Sequence, residues 1–171
     1  MFELSATQPA DLPAIENLLD SAFGPNRHAK TSYRYRVGVD PVPGLSFVAR
    51  SQGTLLGSIA YYPVLIGASS DPALLLGPIA VDPALHGRGI GASLMHHSLN
   101  LAASMNHGLT VLVGDPNYYK RFGFQPASPH GIWMPDEDQN RLQLRELTEG
   151  SLAHSSGEIR LERPEDYAEA L

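Results

Sequence analysis

Ala73-Leu74-Leu75-Leu76-Gly77-Pro78-Ile79-Ala80-Val81 opens the stretch that decides the fold, and Leu109-Thr110-Val111-Leu112-Val113 closes it. The first run is apolar throughout, the pattern of a central strand covered on both faces. Pro78 has no N–H to give a ladder, so pairing is expected to break there in a bulge. From Gly89 to Gly114 no Asp, Glu, Lys or Arg occurs. Ile90, Leu94, Ser98, Leu101 and Met105 recur at helical spacing, with Ser93, His97, Asn100, Ser104 and His107 opposite. That spacing predicts an amphipathic helix with an uncharged polar face, stopped at Gly108. Strand, helix and strand of these lengths make a right-handed parallel βαβ unit.

Working upstream, Phe2 to Thr7 alternate apolar and polar as a half-buried strand does. A helix is predicted after Thr7-Gln8-Pro9-Ala10-Asp11, with Ile15, Leu18, Leu19 and Ala22 on its apolar face and Gly24-Pro25-Asn26 at its end. A second helix is expected over residues 27–36, its Arg27, Lys30, Arg34 and Arg36 forming a solvated face. Leu45 to Ala49 and Thr54 to Ile66 flank Ser51-Gln52-Gly53 as an antiparallel hairpin. Downstream, residues 124–162 hold weaker strand signals, the best being Arg141-Leu142-Gln143-Leu144-Arg145. Trp133, the sole Trp, is expected in the core. The fold class is therefore α/β in the α+β sense. It has a central mixed, mostly antiparallel sheet with one parallel βαβ unit and flanking helices, in a single domain over residues 1–171.

Composition agrees with a packed core: the 171 residues are 43% apolar and 18% charged. There is no cysteine, which excludes disulfides, thiolate catalysis and Cys-based metal sites. Residues 135–171 hold ten acids against four arginines and so carry the whole net charge of −6. With no broad basic face, nucleic acid is not an expected partner. The N-terminus lacks a charged n-region followed by an apolar h-region. The uncharged run between Arg50 and Asp71 is broken by Gly53, Gly57, Pro63 and Gly67, so no membrane span is expected. A cytoplasmic location follows, and a homodimer stays open as an assembly.

The chemistry lies between the apolar strand and the uncharged helix, in Val81-Asp82-Pro83-Ala84-Leu85-His86-Gly87-Arg88-Gly89-Ile90-Gly91-Ala92. Glycines at 87, 89 and 91 let backbone approach an anion closely. The helix that follows turns its free N–H groups and positive dipole end to the same place, and Arg88 adds a charge with up to five donors. In physical terms this is a phosphate cradle, although a plain connecting turn has the same glycines. A P-loop would need Gly-Lys-Ser/Thr where the chain has Gly89-Ile90-Gly91. Gly87-x-Gly89-x-x-Ala92 does match a dinucleotide fingerprint, and Asp115 follows the next strand. However, Asp82 to His86 separate that turn from its strand, and the 56 residues after Asp115 are too few for a second mononucleotide half.

Ile79-Ala80-Val81-Asp82-Pro83 followed by His86-Gly87-Arg88-Gly89-Ile90-Gly91 resembles the acyl-CoA signature of the GNAT superfamily of N-acetyltransferases, with His86 where Gln or Arg is usual. Gly114-Asp115-Pro116-Asn117-Tyr118-Tyr119-Lys120-Arg121-Phe122-Gly123-Phe124 resembles the superfamily's Tyr-x-x-hydrophobic-Gly-Phe element, in the form typical of its YhbS-like branch. Gly157-Glu158-Ile159-Arg160 is similar to that branch's last strand. The resemblance implies a GNAT-like acyl-CoA N-acyltransferase fold that moves an acetyl group from acetyl-CoA to a small-molecule or peptide amine, without a metal. Coenzyme A would lie against Ile79, Ala80 and Val81, His86 through Ala92, and Asn117, its pantetheine amides pairing with strand backbone.

By its place in the resembled tyrosine element Tyr119 is the expected general acid, the alternative being a packed aromatic whose hydroxyl only caps a hydrogen bond; a free phenol titrates near 10 and stays protonated at neutral pH. Tyr118 is expected to pack or line the substrate side. Asp115, His96, His97 or water are the candidate bases, because no Glu lies on the apolar strand, where several superfamily members keep theirs. Asp115 equally suits a plain helix cap. In the superfamily the region of Arg27 to Arg36 borders the acceptor pocket, so contact with an anionic substrate is the alternative to a solvated face. Valine at Gly89 or Gly91 is expected to weaken CoA binding more than it weakens the fold. A non-catalytic acyl-CoA-binding module is the alternative to an enzyme.

Overall fold

The computed structural model describes residues 1–162; Glu165, Asp166 and Glu169 of the acidic C-terminal segment lie outside the described residues. In chain order the elements are β1 (Glu3–Ala6), α1 (Leu12–Phe23), β2 (Phe47–Ser51), β3 (Thr54–Ile66), β4 (Asp71–Val81), α2 (Ile90–Ser104), β5 (Leu109–Val113), α3 (Pro116–Tyr119), β6 (Gln125–Pro126), β7 (Ile132–Trp133), β8 (Leu142–Glu146) and β9 (Gly157–Leu161). The main sheet runs β1-β2-β3-β4-β5-β8-β6. Its pairs are antiparallel except β4 with β5. β9 extends the sheet by pairing with the last residues of β3, Val64 to Ile66, and carries β7 in parallel on its other side. The predicted hairpin forms, with Gln52 and Gly53 both at positive φ in its turn.

The two sides of the sheet are read from side-chain alternation. Leu74 and Leu76 of β4 pack with Leu94, Met95 and Leu99 of α2, while Ala73 and Leu75 join Val111, Leu144 and Ile159 on the opposite side. Between Ile59 and Tyr61 of β3 the partner advances from Ile79 to Leu76, so β4 carries one extra residue at Gly77-Pro78. This is the bulge that Pro78 predicted. It shifts the alternation: after it the odd-numbered Ile79 and Val81 face the α2 side, and Ala80 faces Leu18 and Leu19 of α1.

The bulge also ends the parallel ladder. β4 and β5 pair only at Leu74 with Thr110 and Leu75 with Val111. Beyond that point β4 keeps β3 as its partner, and Leu112 and Val113 of β5 keep Gln143 and Leu142 of β8. The facing edges of β4 and β5 therefore splay apart from Leu76 onward.

Four local expectations need correction. The buried face of α2 is Ile90, Leu94, Met95, Ser98, Leu99 and Ala102, while Met105 is 40% exposed. Leu101 packs only at the margin of the core, and Met105 lies one residue past the last turn of α2, where the helix no longer holds it against the sheet. The helix ends at Ser104 and the chain turns through Asn106 at positive φ rather than stopping at Gly108, whose carbonyl instead accepts from the Leu147 and Thr148 N–H groups. Residues 27–36 form two 3₁₀ segments, Pro25–Ala29 and Thr31–Tyr35, separated by an extended Lys30. Trp133 sits on two-residue β7 and is 45% exposed.

One polar pair stands inside the α2 layer. Fully buried Tyr61 bonds through its hydroxyl to the Ser98 hydroxyl at 2.8 Å, and Ser98 donates to the Leu94 carbonyl at 2.7 Å. Tyr61→Phe keeps the ring and removes one neutral bond, while Ser98 retains its own acceptor. The expected loss is about 1 kcal/mol, read as a lower urea midpoint at unchanged slope.

Candidate active site

A cavity of about 740 Å³ occupies the splay. One wall is α1 with the 3₁₀ segments after it; the floor is β4 from Leu76 to Val81; the far wall is the N-terminus of α2 and the end of β5. Of the residues expected to contact coenzyme A, Ile79, Ala80, Val81, His86, Gly87, Gly89, Ile90, Gly91 and Ala92 all line this cavity, as does Tyr119. Arg88 and Asn117 do not line it, and both are exposed.

The loop before α2 has the geometry of an anion site. Gly87 and Gly89 lie at φ +81° and +80°, and Gly89 is the left-handed residue from which α2 starts. The first intrahelical acceptor is the Gly89 carbonyl, taken by Ser93 N–H, so the N–H groups of Ile90, Gly91 and Ala92 point out of the helix without a backbone acceptor. Gly89 and Gly91 do different jobs, which separates two positions expected to behave alike. No heavy atom lies within 4 Å of a Cβ built on Gly89, so that glycine is required by its backbone angle. Gly91 has ordinary helical backbone, and a Cβ there would stand 3.2 Å from the Tyr118 hydroxyl and 3.5 Å from Val81 Cγ2.

Tyr118 and Tyr119 meet edge to face, centroids 4.9 Å apart. Tyr118 turns its hydroxyl to the α2 N-terminus. Tyr119 packs its ring over the α-carbon of Gly114 and against Phe124. Burial pushes the Tyr119 phenol up to about 12, helped by Tyr118 and opposed by Arg141. Asp115 caps α3, its carboxylate accepting from Asn117 N–H at 2.9 Å, and it also lines the cavity. His96 and His97 lie outside the cavity on the exposed side of α2, against Phe122 and Phe47. That removes both histidines from the candidate bases.

The expected solvated face of residues 27–36 is not one. Arg27 is buried and paired with Glu16 and Asp20. Arg34 reaches Asp136 at 3.0 Å, and Arg36 enters the cavity. Arg121 and Arg141 also line the cavity, although sequence reasoning did not single them out. Arg121 lay inside the quoted tyrosine element, where adjacency was the available signal; Arg141 had none. Arg121 stacks 4.7 Å over the Tyr118 ring. The cavity thus gathers five cationic side chains against the single carboxylate of Asp115, in a chain of net charge −6.

Residues 43–126 match the family model described as the acetyltransferase (GNAT) domain. Escherichia coli (strain K12) YhbS, described as an uncharacterized N-acetyltransferase, is 29% identical over 153 residues, covering 87% of this chain and 89% of that protein. The crystal structure of E. coli YhbS in complex with CoA superposes with a TM-score of 0.81 at 25% identity, covering 94% of this chain and 89% of that one. A GNAT family acetyltransferase from Brucella melitensis, in complex with acetyl-CoA, gives 0.72 at 26% identity over 95% and 96% of the two chains. Among the described residues no helix is long and apolar enough to cross a membrane. Residues 43–126, which hold the β4 bulge, the glycine loop at the head of α2 and the tyrosine element, thus form a GNAT acetyltransferase domain, and the chain is similar to the N-acetyltransferase YhbS over most of its length.

Proposed function

We propose that the protein transfers an acetyl group from acetyl-CoA to an amine by direct attack within a ternary complex. The observation that carries this is the single cavity joining the α2 N-terminus to the unpaired edge of β4. The pyrophosphate of coenzyme A suits the free N–H groups of Ile90 to Ala92, with the helix dipole behind them. The pantetheine amides pair with the backbone of Ile79 to Val81 as an added strand would. This ordering lays the thioester toward Gly77, with Tyr119 across the splay.

The amine nitrogen attacks the thioester carbon, the C–N bond forms and the C–S bond breaks. Backbone N–H groups at the bulge oppose the charge that grows on the thioester oxygen. The departing thiolate takes the Tyr119 proton, and the amine gives its own to water or to Asp115. No cysteine is present to carry the acyl group, so no thiol-linked intermediate intervenes.

A ligand bound only by the native state stabilises it by RT ln(1 + [L]/Kd), about 2.7 kcal/mol at a hundredfold excess. For a chain of this size, millimolar CoA or acetyl-CoA is expected to raise Tm by about 5–10 °C. NADH is the control. A melting curve unmoved by either CoA form ends the proposal, and a shift with NADH alone would restore the dinucleotide reading. Thiol release against a panel of amines then measures transfer.

A further inference from the structure

Among the arginines on the cavity wall, Arg36 stands apart. Its backbone is fixed at the end of the second 3₁₀ segment, its N–H donating to the Tyr33 carbonyl at 2.9 Å. Its side chain runs down to the bulge, where Nη2 lies 2.9 Å from the place a Cβ on Gly77 would take. A side chain at residue 77 would therefore collide with the guanidinium. The Nε atom is buried and has no hydrogen-bond partner. Arg27, Arg34 and Arg50 each have a carboxylate, but Arg36 has none among the described residues. Its aromatic neighbour is the Tyr62 ring, 5.9 Å from the guanidinium carbon.

Arg36 is half-buried, facing the cavity with its Nε enclosed and unpaired, and an arginine so placed is costly until something pairs it. Burial pulls this guanidinium down to about 10, which still leaves it charged at neutral pH. A charge held at this expense beside the β4 opening is a group awaiting an anion. Position decides which anion. The phosphate-type site is at residues 86–92, beyond the far end of the Ile79–Val81 segment, so the CoA phosphates belong there. Arg36 is at the Gly77 end, where the thioester meets the acceptor. Lys30, set 4.5 Å over the Phe23 ring and without an ion pair among the described residues, lines the same wall.

We propose that the acceptor amine carries a carboxylate and that Arg36 binds it, holding the amine at the thioester. The proposal rests on the acyl-CoA reading above. A planar guanidinium fork suits a carboxylate through two parallel N–H···O bonds, which fixes direction as well as position. Neutral or purely cationic amines would leave the guanidinium unpartnered and would meet like charge from Lys30.

The test compares glycine, alanine, phenylalanine, glutamate, lysine, β-alanine and γ-aminobutyrate, each with its own carboxamide, in a thiol-release assay with acetyl-CoA. In the wild type, kcat/KM for at least one acid is expected to exceed that of its carboxamide tenfold or more. In Arg36→Gln that ratio falls to near one, and Arg36→Lys is intermediate because it keeps charge and loses the fork. The CoA-induced rise in Tm is expected in all three proteins, which reports folding and donor binding together. Acids turned over no better than carboxamides, no acid turned over at all, or a preference that survives Arg36→Gln, each overturns the proposal. Loss of the CoA-induced shift in the wild type instead overturns the acyl-CoA reading beneath it.

Discussion

Tyr119→Phe is expected to lower kcat by roughly 10²–10⁴, the range typical of a lost acid–base group, with the KM for acetyl-CoA almost unchanged. The variant isolates the hydroxyl proton. The ring keeps its edge contacts to Tyr118 and Phe124 and its seat over Gly114, which has no side chain to interfere. Tyr118→Phe is the control. The Tyr118 hydroxyl faces Gly91 at the head of α2, so its loss is expected to move the KM for the donor more than kcat. The pH profile adds a second check. A free phenol would lose its proton near pH 10, but burial holds Tyr119 up to about 12. The acid is therefore competent across pH 7–10, and no alkaline fall from Tyr119 is expected in that window. The sign for stability is the same: the neutral phenol is favoured in the fold, so its contribution is complete below about pH 10 and is lost as pH rises toward about 12. Equal kcat for Tyr119→Phe and wild type, with chemistry rate-limiting, would refute the assignment and pass the proton to water.

The parts of this site that were legible in sequence are those dictated by backbone chemistry. Pro78 has no N–H to give a central ladder, and the register breaks beside it where the cavity opens. Glycines before a helix announce positive φ and free N–H groups, and Gly87 and Gly89 adopt the one while Ile90 to Ala92 offer the other. What was not legible depended on partners distant in sequence. Lys30 and Arg34 at i, i+4 suggested a helical face, but Arg27 is drawn to α1, Arg34 to Asp136 and Arg36 to Gly77, and the chain between them follows as 3₁₀ turns. The polar face of α2 hid a similar choice: His96 and His97 had plausible chemistry, yet the helix packs its other side against the sheet and leaves both outside the cavity. Asp115 takes both of the places its position allowed, capping α3 and standing on the cavity wall.

Gly91→Val is expected to raise the Kd for CoA at least tenfold while leaving Tm without ligand nearly unchanged. The position lies in the first turn of α2 at ordinary helical angles, where valine costs no more than glycine in helix propensity. A Cβ there meets the Tyr118 hydroxyl at 3.2 Å, a contact the ring relieves by moving a few tenths of an ångström. The two γ-methyls then occupy the cavity directly over the N–H groups of Ile90 to Ala92. A pyrophosphate loses both its closest approach and part of its hydrogen bonding there, while the buried face of α2 is untouched. Gly89→Val makes the contrast. It places a β-branched residue at φ +80° in open space, so its first effect is backbone strain and a lower Tm in the absence of any ligand. If Gly91→Val binds CoA as the wild type does, the phosphates lie elsewhere and the helix N-terminus is only a connection. If it instead loses as much Tm as Gly89→Val, the crowding at Tyr118 is structural. Calorimetric titration of CoA beside ligand-free melting curves for the two variants separates these outcomes, because pyrophosphate contact and turn geometry enter different measurements.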